Sequence, residues 1–473
     1  MANTVATLYC SEMNGSNRMS QNNGLNRRAF LKNAGLTALV GAVGTGTSVE
    51  AAAAAALFEP ANGKYDFDTV YNRIGTECVK WDQQIKLHGK ENIVAGMGIA
   101  DMDFRAAPCV TKALQERMKH ENWGYLETPR SYIDAIVSWN KKRYGIDINP
   151  DLVVLSNGVH PGLIAALKTF SPPGSKVLLT TPVYDGFYSD LDFCRLKAEE
   201  SLMKVVDGRY SIDFEDLERR ISHDTNTLIL CNPQNPTGNC WSPEDLTRIG
   251  ELCLRRRVVV LADEIHCDFV TKGNKYTPFA SLPNKDLVRN SITFKAASKS
   301  FSLAAMKTAW FFSDNADYVA RVKASNHVEL NTLGMVANRA ALTEGEDWLD
   351  QVVAYIDGNH DFVEAYVRAN MPLVKYVKPQ GTYLAWLDVS KVVDKIGASQ
   401  LAVAANKSVP APPKPLTSEA MVERHFVKQA KVQMNPGSNY GYGGAGHMRM
   451  NIATSRKLVE LALTNIAKAL NDA

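Results

Sequence analysis

Residues 258–270 read VVVLADEIHCDFV. An apolar run, 258–262, enters Asp263, Glu264, His266, Cys267 and Asp268, all residue types that can ligate a metal. The stretch is a metal site, an acid–base cluster, or a polar turn after a buried strand. In an extended strand Asp263, Ile265 and Cys267 would share one face, so the donors would not converge. No His-x-His or Cys-x-x-Cys pair supports the metal reading, and we expect no metal.

The same strand-like pattern recurs on either side. Apolar runs at 152–156, 176–180, 227–231, 258–262 and 291–294 alternate with helical patterns at 108–120, 131–144, 161–170, 243–255 and 316–326. Such alternation predicts an α/β fold, a mostly parallel sheet sandwiched by helices, over 106–330. Ligands of such a sheet sit at the carboxyl ends of its strands. From 331 the character changes. A helical region over 334–370 precedes the strand GTYLAWLDV and a Pro- and Ser-rich exposed insertion, AANKSVPAPPKPLTSEA. A further strand, HMRMNIA, and an amphipathic helix over 457–470 follow. We expect a smaller α+β domain over 331–473, with 58–105 packing against it.

Composition permits two or three core-bearing domains in 473 residues. Lys plus Arg (53) nearly balances Asp plus Glu (50), so nothing calls for nucleic acid as a partner. After residue 60 no apolar run is long enough for a stable membrane span. Residues 1–57 read differently: a polar, Asn- and Ser-rich start, then Arg27-Arg28-Ala29-Phe30-Leu31-Lys32, a mildly apolar stretch and an alanine run. This is a twin-arginine signal pattern with A-x-A cleavage sites. It predicts use of the twin-arginine export machinery and a periplasmic or extracellular location. Cys10 precedes the arginines, so no lipoprotein anchor is expected. The other seven cysteines are odd in number and lack zinc spacing, which argues against a disulfide framework.

The chemistry gathers at strand ends. Asp263 directly follows its strand. Asn235 lies in CNPQNPTGNCW, whose Asn-Pro pairs and Gly form a tight turn. Lys299 lies between serines just past the strand ITF. Read alone, such a lysine is a solvated loop residue and such a turn is only a turn. The three are 28 and 36 residues apart, enough for strand–helix–strand crossovers, so they converge at one sheet edge.

That set suits pyridoxal 5'-phosphate (PLP). A lysine forms the Schiff base, a carboxylate holds the ring nitrogen, a donor meets the phenolate oxygen, an aromatic ring stacks, and a helix start binds phosphate. Gly158, Val159 and His160 enter a helix and offer the phosphate cradle. Tyr184 can stack, Asn235 and His266 can approach the phenolate oxygen, and Ser298 and Lys307 can meet the phosphate.

The chain resembles the PLP-dependent class I/II aminotransferases of fold type I, and within them the cystathionine β-lyase-type C–S lyases. The landmarks are KWD (80–82), GIADMDF (98–104), WGY (123–125), NGVHPGL (157–163), TPVYDGF (181–187), CNPQNPTGNCW (231–241), LADEIHCDF (261–269), ASKSF (297–301), GTYLAWLD (381–388) and MNPGSNYGYGGAGHMRMNIA (434–453). The resemblance implies that Lys299 carries the cofactor and Asp263 pairs with its ring nitrogen. It implies that Arg449 grips the substrate α-carboxylate. Alternation in HMRMNIA agrees, placing Met448, Met450 and Ile452 on one face and Arg449 and Asn451 on the other. Tyr125 matches the tyrosine that reaches a neighbouring subunit's phosphate, which implies a homodimer. His266 stands where aminotransferase relatives usually carry Tyr, which favours the lyase branch. Departures are Ala296 in place of a phosphate-binding Ser, Lys307 in place of Arg, and Ser302 in place of Asn.

The implied function is a PLP-dependent C–S β-lyase acting on L-cystathionine, cysteine or S-conjugates, releasing thiol, pyruvate and ammonia. The alternative is an aminotransferase moving an amino group between an amino acid and a 2-oxo acid. A third reading is an exported, non-catalytic binding protein on a PLP scaffold.

Overall fold

The computed structural model describes residues 63–410 and 412–472. The twin arginines, the alanine run and Cys10 lie outside the described residues.

The main sheet has seven strands: β1 (Val153–Ser156), β2 (Lys176–Thr181), β3 (Lys197–Leu202), β4 (Thr225–Cys231), β5 (Val259–Asp263), β6 (Ser291–Lys295) and β7 (Ala309–Phe312). Their order is β1-β7-β6-β5-β4-β2-β3. β7 runs antiparallel to both neighbours, and the other pairings are parallel. Every residue of β5 is buried because both faces of the sheet are covered. Val259 and Leu261 join the core beneath helix α1 (Val159–Phe170), whereas Val260 and Ala262 join the core under α3 (Pro243–Arg255). A third helix, α2 (Gly186–Cys194), packs on α1.

Two strands lie outside the apolar runs expected from the sequence. β3 reads KAEESL and lies at a sheet edge, half exposed, so its charges face solvent. β7 is short and follows a reversal in which Lys307 takes a left-handed φ of 51°.

A second core gathers around the three-stranded antiparallel sheet of β8 (Leu384–Asp388), β9 (Asn435–Pro436) and β10 (His447–Asn451), in order β8-β10-β9. Met448, Met450 and Ile452 enter this core, together with Trp81, Ile93, Ala95 and Met97 from the segment before residue 105. Ala95–Gly96 pairs in parallel with Val432–Gln433. The helical run expected over 334–370 is two helices, α4 (Thr332–Glu344) and α5 (Glu346–Asn370), broken at Gly345. A Cβ there would lie 2.5 Å from the Phe301 ring and 2.6 Å from the Ala341 carbonyl oxygen. The expected insertion is shorter than its composition indicates, because helices Ala398–Asn406 and Ser418–His425 flank it. The C-terminal helix α6 spans Arg456–Asn471. No helix among the described residues is long and apolar enough to cross a membrane. The seven described cysteines are free thiols.

Candidate active site

β4, β5 and β6 end level with one another: Cys231 pairs with Asp263, and Asp263 with Phe294. The register brings Asn235, Asp263 and Lys299 to one sheet edge. Asp263 is buried and its Oδ1 accepts from the Ile265 N–H at 3.1 Å. That bond turns the chain out of the strand. The extended path assumed for 263–268 is therefore wrong: β5 stops at Asp263, and the residues beyond fan out to different partners. Glu264 accepts from Tyr276 and from the Phe279 N–H at 2.8 Å. Asp268 holds Arg143 (3.2 Å), Ser300 and Tyr144, and Cys267 meets the Tyr144 hydroxyl at 3.2 Å. These three residues brace the structure. His266 does not join them. It is buried, its Nδ1 has no hydrogen-bond partner, and its ring meets Tyr383 edge-on at 5.5 Å.

Lys299 rises from a single turn, Ala297–Ser300, and its Nζ donates to the Ala100 carbonyl at 2.8 Å. Burial first, then the positive charge of Arg449, push its amine down to about 8, against the pull of Asp101, Asp263 and Asp185. Burial pushes Asp263 up to about 6, although the Ile265 N–H, His160 and Lys299 all favour its anion. Burial, Lys299 and Arg449 hold His266 well below the usual imidazole range, so it is neutral. A base that loses its charge near neutrality and a carboxyl reluctant to ionise are the two groups that a cationic heterocycle would reorganise.

Arg449 projects from the opposite face of β10 to the methionines, as the alternation predicts. Its Nη1 donates to Asn235 Oδ1 (3.1 Å) and its Nη2 to the Gly98 carbonyl (2.9 Å), while its guanidinium lies 4.9 Å from the Tyr440 ring centroid. Asn451, on the same face, donates to the carbonyls of Ile99 and Asp101, both at 2.6 Å. Residues 97–103 are thus clamped over the strand ends. Ser302, in a left-handed turn, adds a clasp by accepting the Met102 N–H at 3.0 Å. Beneath them, Asp103 pairs with Lys80 (2.7 Å) and Arg73 (3.1 Å) and accepts from the Trp81 indole at 3.0 Å. This is the structural role of KWD, for which sequence reading assigned none. The Ala100 carbonyl and Tyr383, whose hydroxyl donates to that carbonyl at 2.9 Å, were also missed. A main-chain acceptor leaves no sequence signal.

Gly158 starts α1 with φ 151°, a conformation that favours glycine, and no side chain caps the helix. The N–H groups of Gly158, Val159 and His160 are placed for an anion. The side chain of His160 does other work: its Nδ1 lies 2.6 Å from Asp190 and its Nε2 3.3 Å from the Tyr184 hydroxyl. Ser298 is half-buried, and Lys307 and Tyr125 are exposed. Among the described residues, no hydrogen bond or ion pair joins these three side chains to the Lys299 group. Tyr125 lines a groove of about 700 Å³ with Trp123 and residues 328–333. Ala296 is buried beneath α1 and offers no hydroxyl.

PLP fits this set. Asn157 Oδ1, His266 Nδ1 and Arg449 Nε are buried without hydrogen-bond partners, around an uncapped helix start and an amine. A polar ligand that offers both donors and anionic acceptors would satisfy such atoms, the acceptors meeting Arg449 Nε and the donors Asn157 Oδ1.

Comparison with known proteins agrees. The family described as aminotransferase class I and II matches residues 92–466. Cystathionine β-lyase PatB of Bacillus subtilis is 37% identical over 413 residues, covering 86% of this chain and all of that protein. Cystalysin from Treponema denticola, which contains PLP, superposes with a TM-score of 0.77 at 28% identity, over 86% of this chain and 99% of that one. A PLP-bound C–S lyase from Staphylococcus hominis, complexed with the inhibitor L-cycloserine, does so with the same score, identity and coverage. With sheet order, strand-end residues and nearly full-length relatives in agreement, the chain belongs to the class I and II aminotransferase family, in the PLP fold type I.

Proposed function

We propose that the protein is a PLP-dependent carbon–sulfur β-lyase, converting L-cystathionine or a related S-conjugate with water into a thiol, pyruvate and ammonia. The observation that carries this is the Lys299–Asp263–Arg449 set in a chain related to PatB over that protein's full length. PLP supplies an electron sink for negative charge developing at the substrate Cα. Asp263 would hold its ring nitrogen, Tyr184 its ring face, and Asn235 and His266 its phenolate side. The N–H groups at Gly158, Val159 and His160, with Ser298 and Lys307, would hold its phosphate.

Arg449 meets the substrate carboxylate with a planar fork, already oriented by Asn235 and Gly98. Lys299, its amine pushed down to about 8, is partly neutral near pH 7 and takes the Cα proton. The Ala100 carbonyl aims that amine, and Tyr383 steadies the carbonyl. His266, held neutral, adds no second cation beside Lys299.

The residues also serve amino transfer to a 2-oxo acid, so the test separates the two. The PLP-loaded protein given L-cystathionine and no oxo acid should release pyruvate and thiol. Silence there, with transfer when an oxo acid is added, would reverse the assignment.

We further propose a homodimer in which Tyr125 completes the partner's phosphate site; its exposure beside the Trp123 groove supports this. Export to the periplasm or beyond by the twin-arginine machinery rests on Arg27–Lys32 and the alanine run. Replacing Arg27 and Arg28 with Lys should retain the protein in the cytoplasm.

A further inference from the structure

His160 is tied at both ring nitrogens. Nδ1 meets Asp190 at 2.6 Å and Nε2 meets the Tyr184 hydroxyl at 3.3 Å. The His160 and Tyr184 ring centroids are 5.6 Å apart. Gly186, which opens α2, makes this approach possible. A Cβ there would fall 2.5 Å from the Tyr184 ring and 2.7 Å from His160 Cε1. Asp190, one turn further along α2, is buried, whereas the imidazole is about two-fifths exposed. An acid is therefore buried against a base that still exchanges protons with solvent.

The charged groups that act electrostatically on His160 are Asp190, which it touches, and Asp263 and Lys299, which it does not. Burial disfavours its cation, but the hydrogen bond and charge of Asp190 outweigh burial and raise its proton affinity. Asp263 reinforces Asp190, and Lys299 opposes it. When His160 is neutral, its Nδ1–H donates to Asp190 and Nε2 accepts from the Tyr184 hydroxyl. When it is protonated, Nε2–H donates and the Tyr184 hydroxyl turns its hydrogen elsewhere. Both states keep the Tyr184 ring in place, and only one places a cation within electrostatic reach of Asp263.

We propose that the Asp190–His160 pair is a titratable buttress of the cofactor pocket, in which His160 fixes the Tyr184 ring and, when protonated, weakens the hold of Asp263 on the ring-nitrogen proton of PLP. His160 is thus a positioning residue acting through Tyr184 and Asp263. The inference rests on reading this pocket as a PLP site, and it is independent of whether the reaction is lysis or amino transfer. A cation near Asp263 makes that carboxylate a poorer base. The ring nitrogen then shares its proton less firmly, and the cofactor's linkage to Lys299 becomes less acidic.

The test follows the absorbance band of bound PLP against pH, without substrate, in the wild-type holoenzyme and in His160→Gln and Asp190→Asn. Gln keeps hydrogen-bonding capacity but never carries charge. Asp190→Asn removes the anion that favours the His160 cation. His160→Gln should lower the midpoint of the spectral titration by about half a pH unit or more, whereas Asp190→Asn, which also removes an anion that raises the proton affinity of Asp263, should shift it less. His160→Val, which also releases Tyr184, should in addition weaken PLP binding by roughly tenfold, with His160→Gln restoring most of it. An unchanged or raised midpoint in His160→Gln, or a larger shift in Asp190→Asn than in His160→Gln, would overturn the proposal. A wild-type protein showing no such band would instead overturn the PLP reading beneath it.

Discussion

Replacing Asp263 with Asn should make the cofactor-free protein more stable while impairing its hold on the cofactor. Burial pushes this carboxyl from 3.8 to about 6. A carboxyl with a raised folded pKa favours folding fully below the unfolded value, and that advantage is lost as pH rises through the folded one. Above pH 6 the cofactor-free fold must therefore bury a charge it does not fully compensate. A rise of that size corresponds to about 3 kcal/mol at pH 7.5. An Asn amide oxygen can still accept from the Ile265 N–H, so the turn at the end of β5 survives. Urea melts of the cofactor-free chain should show Asp263→Asn gaining up to about 3 kcal/mol at pH 7.5, with little gain at pH 4. In parallel, loss of a charge-assisted bond to the ring nitrogen should raise the PLP dissociation constant by about 10- to 150-fold. A variant less stable than wild type at pH 7.5 would refute the reasoning, because Asp263 would then stabilise the cofactor-free fold. So would unchanged PLP affinity.

Arg449→Lys exchanges a fork for a point charge and should cost about 10- to 150-fold in kcat/KM for L-cystathionine, yet leave a substrate lacking the α-carboxylate nearly unaffected. Equal losses on both would show that Arg449 acts through the fold. Lys80→Met strands the buried Asp103 carboxylate, which keeps Arg73 and Trp81, so a loss of about 2–3 kcal/mol in urea unfolding is expected. No loss would remove Lys80 from the clamp beneath residues 97–103. His360 is buried between the Tyr376 hydroxyl (2.6 Å) and the Thr382 carbonyl (3.0 Å), and burial pushes it down to about 4. The unfolded chain takes up a proton below pH 6.5 that the fold refuses, so this histidine's contribution to stability should fall by about 3 kcal/mol between 6.5 and 4, opposing that of Asp263. His360→Gln should flatten that part of the curve, and an unchanged slope would place its origin elsewhere.

What could be read from the sequence follows from how each feature is encoded. β5 is legible because burial on both faces turns an alternating pattern into an uninterrupted apolar run. Asp263 is legible because it ends that run. β3 is hidden because an edge strand with charges facing solvent carries the composition of a helix or loop. Gly345, which splits α4 from α5, is one residue whose role depends on Phe301 crossing beside it. The Asp190–His160–Tyr184 chain joins residues from the interior of α2, the first turn of α1 and the loop after β2, so only the packing of α1 on α2 reveals it. The Ala100 carbonyl is invisible for a simpler reason, since every residue has one. The five polar residues of VVVLADEIHCDFV were ambiguous because residue type alone permits metal binding. Backbone direction decides between the readings: once the Ile265 N–H bonds to Asp263, the chain leaves the strand. The next residues then face Tyr276, Tyr383, Tyr144 and Arg143 rather than one another. That turn separates Asp263, at the strand end, from the residues that brace the structure around it, and it depends on a hydrogen bond two residues long.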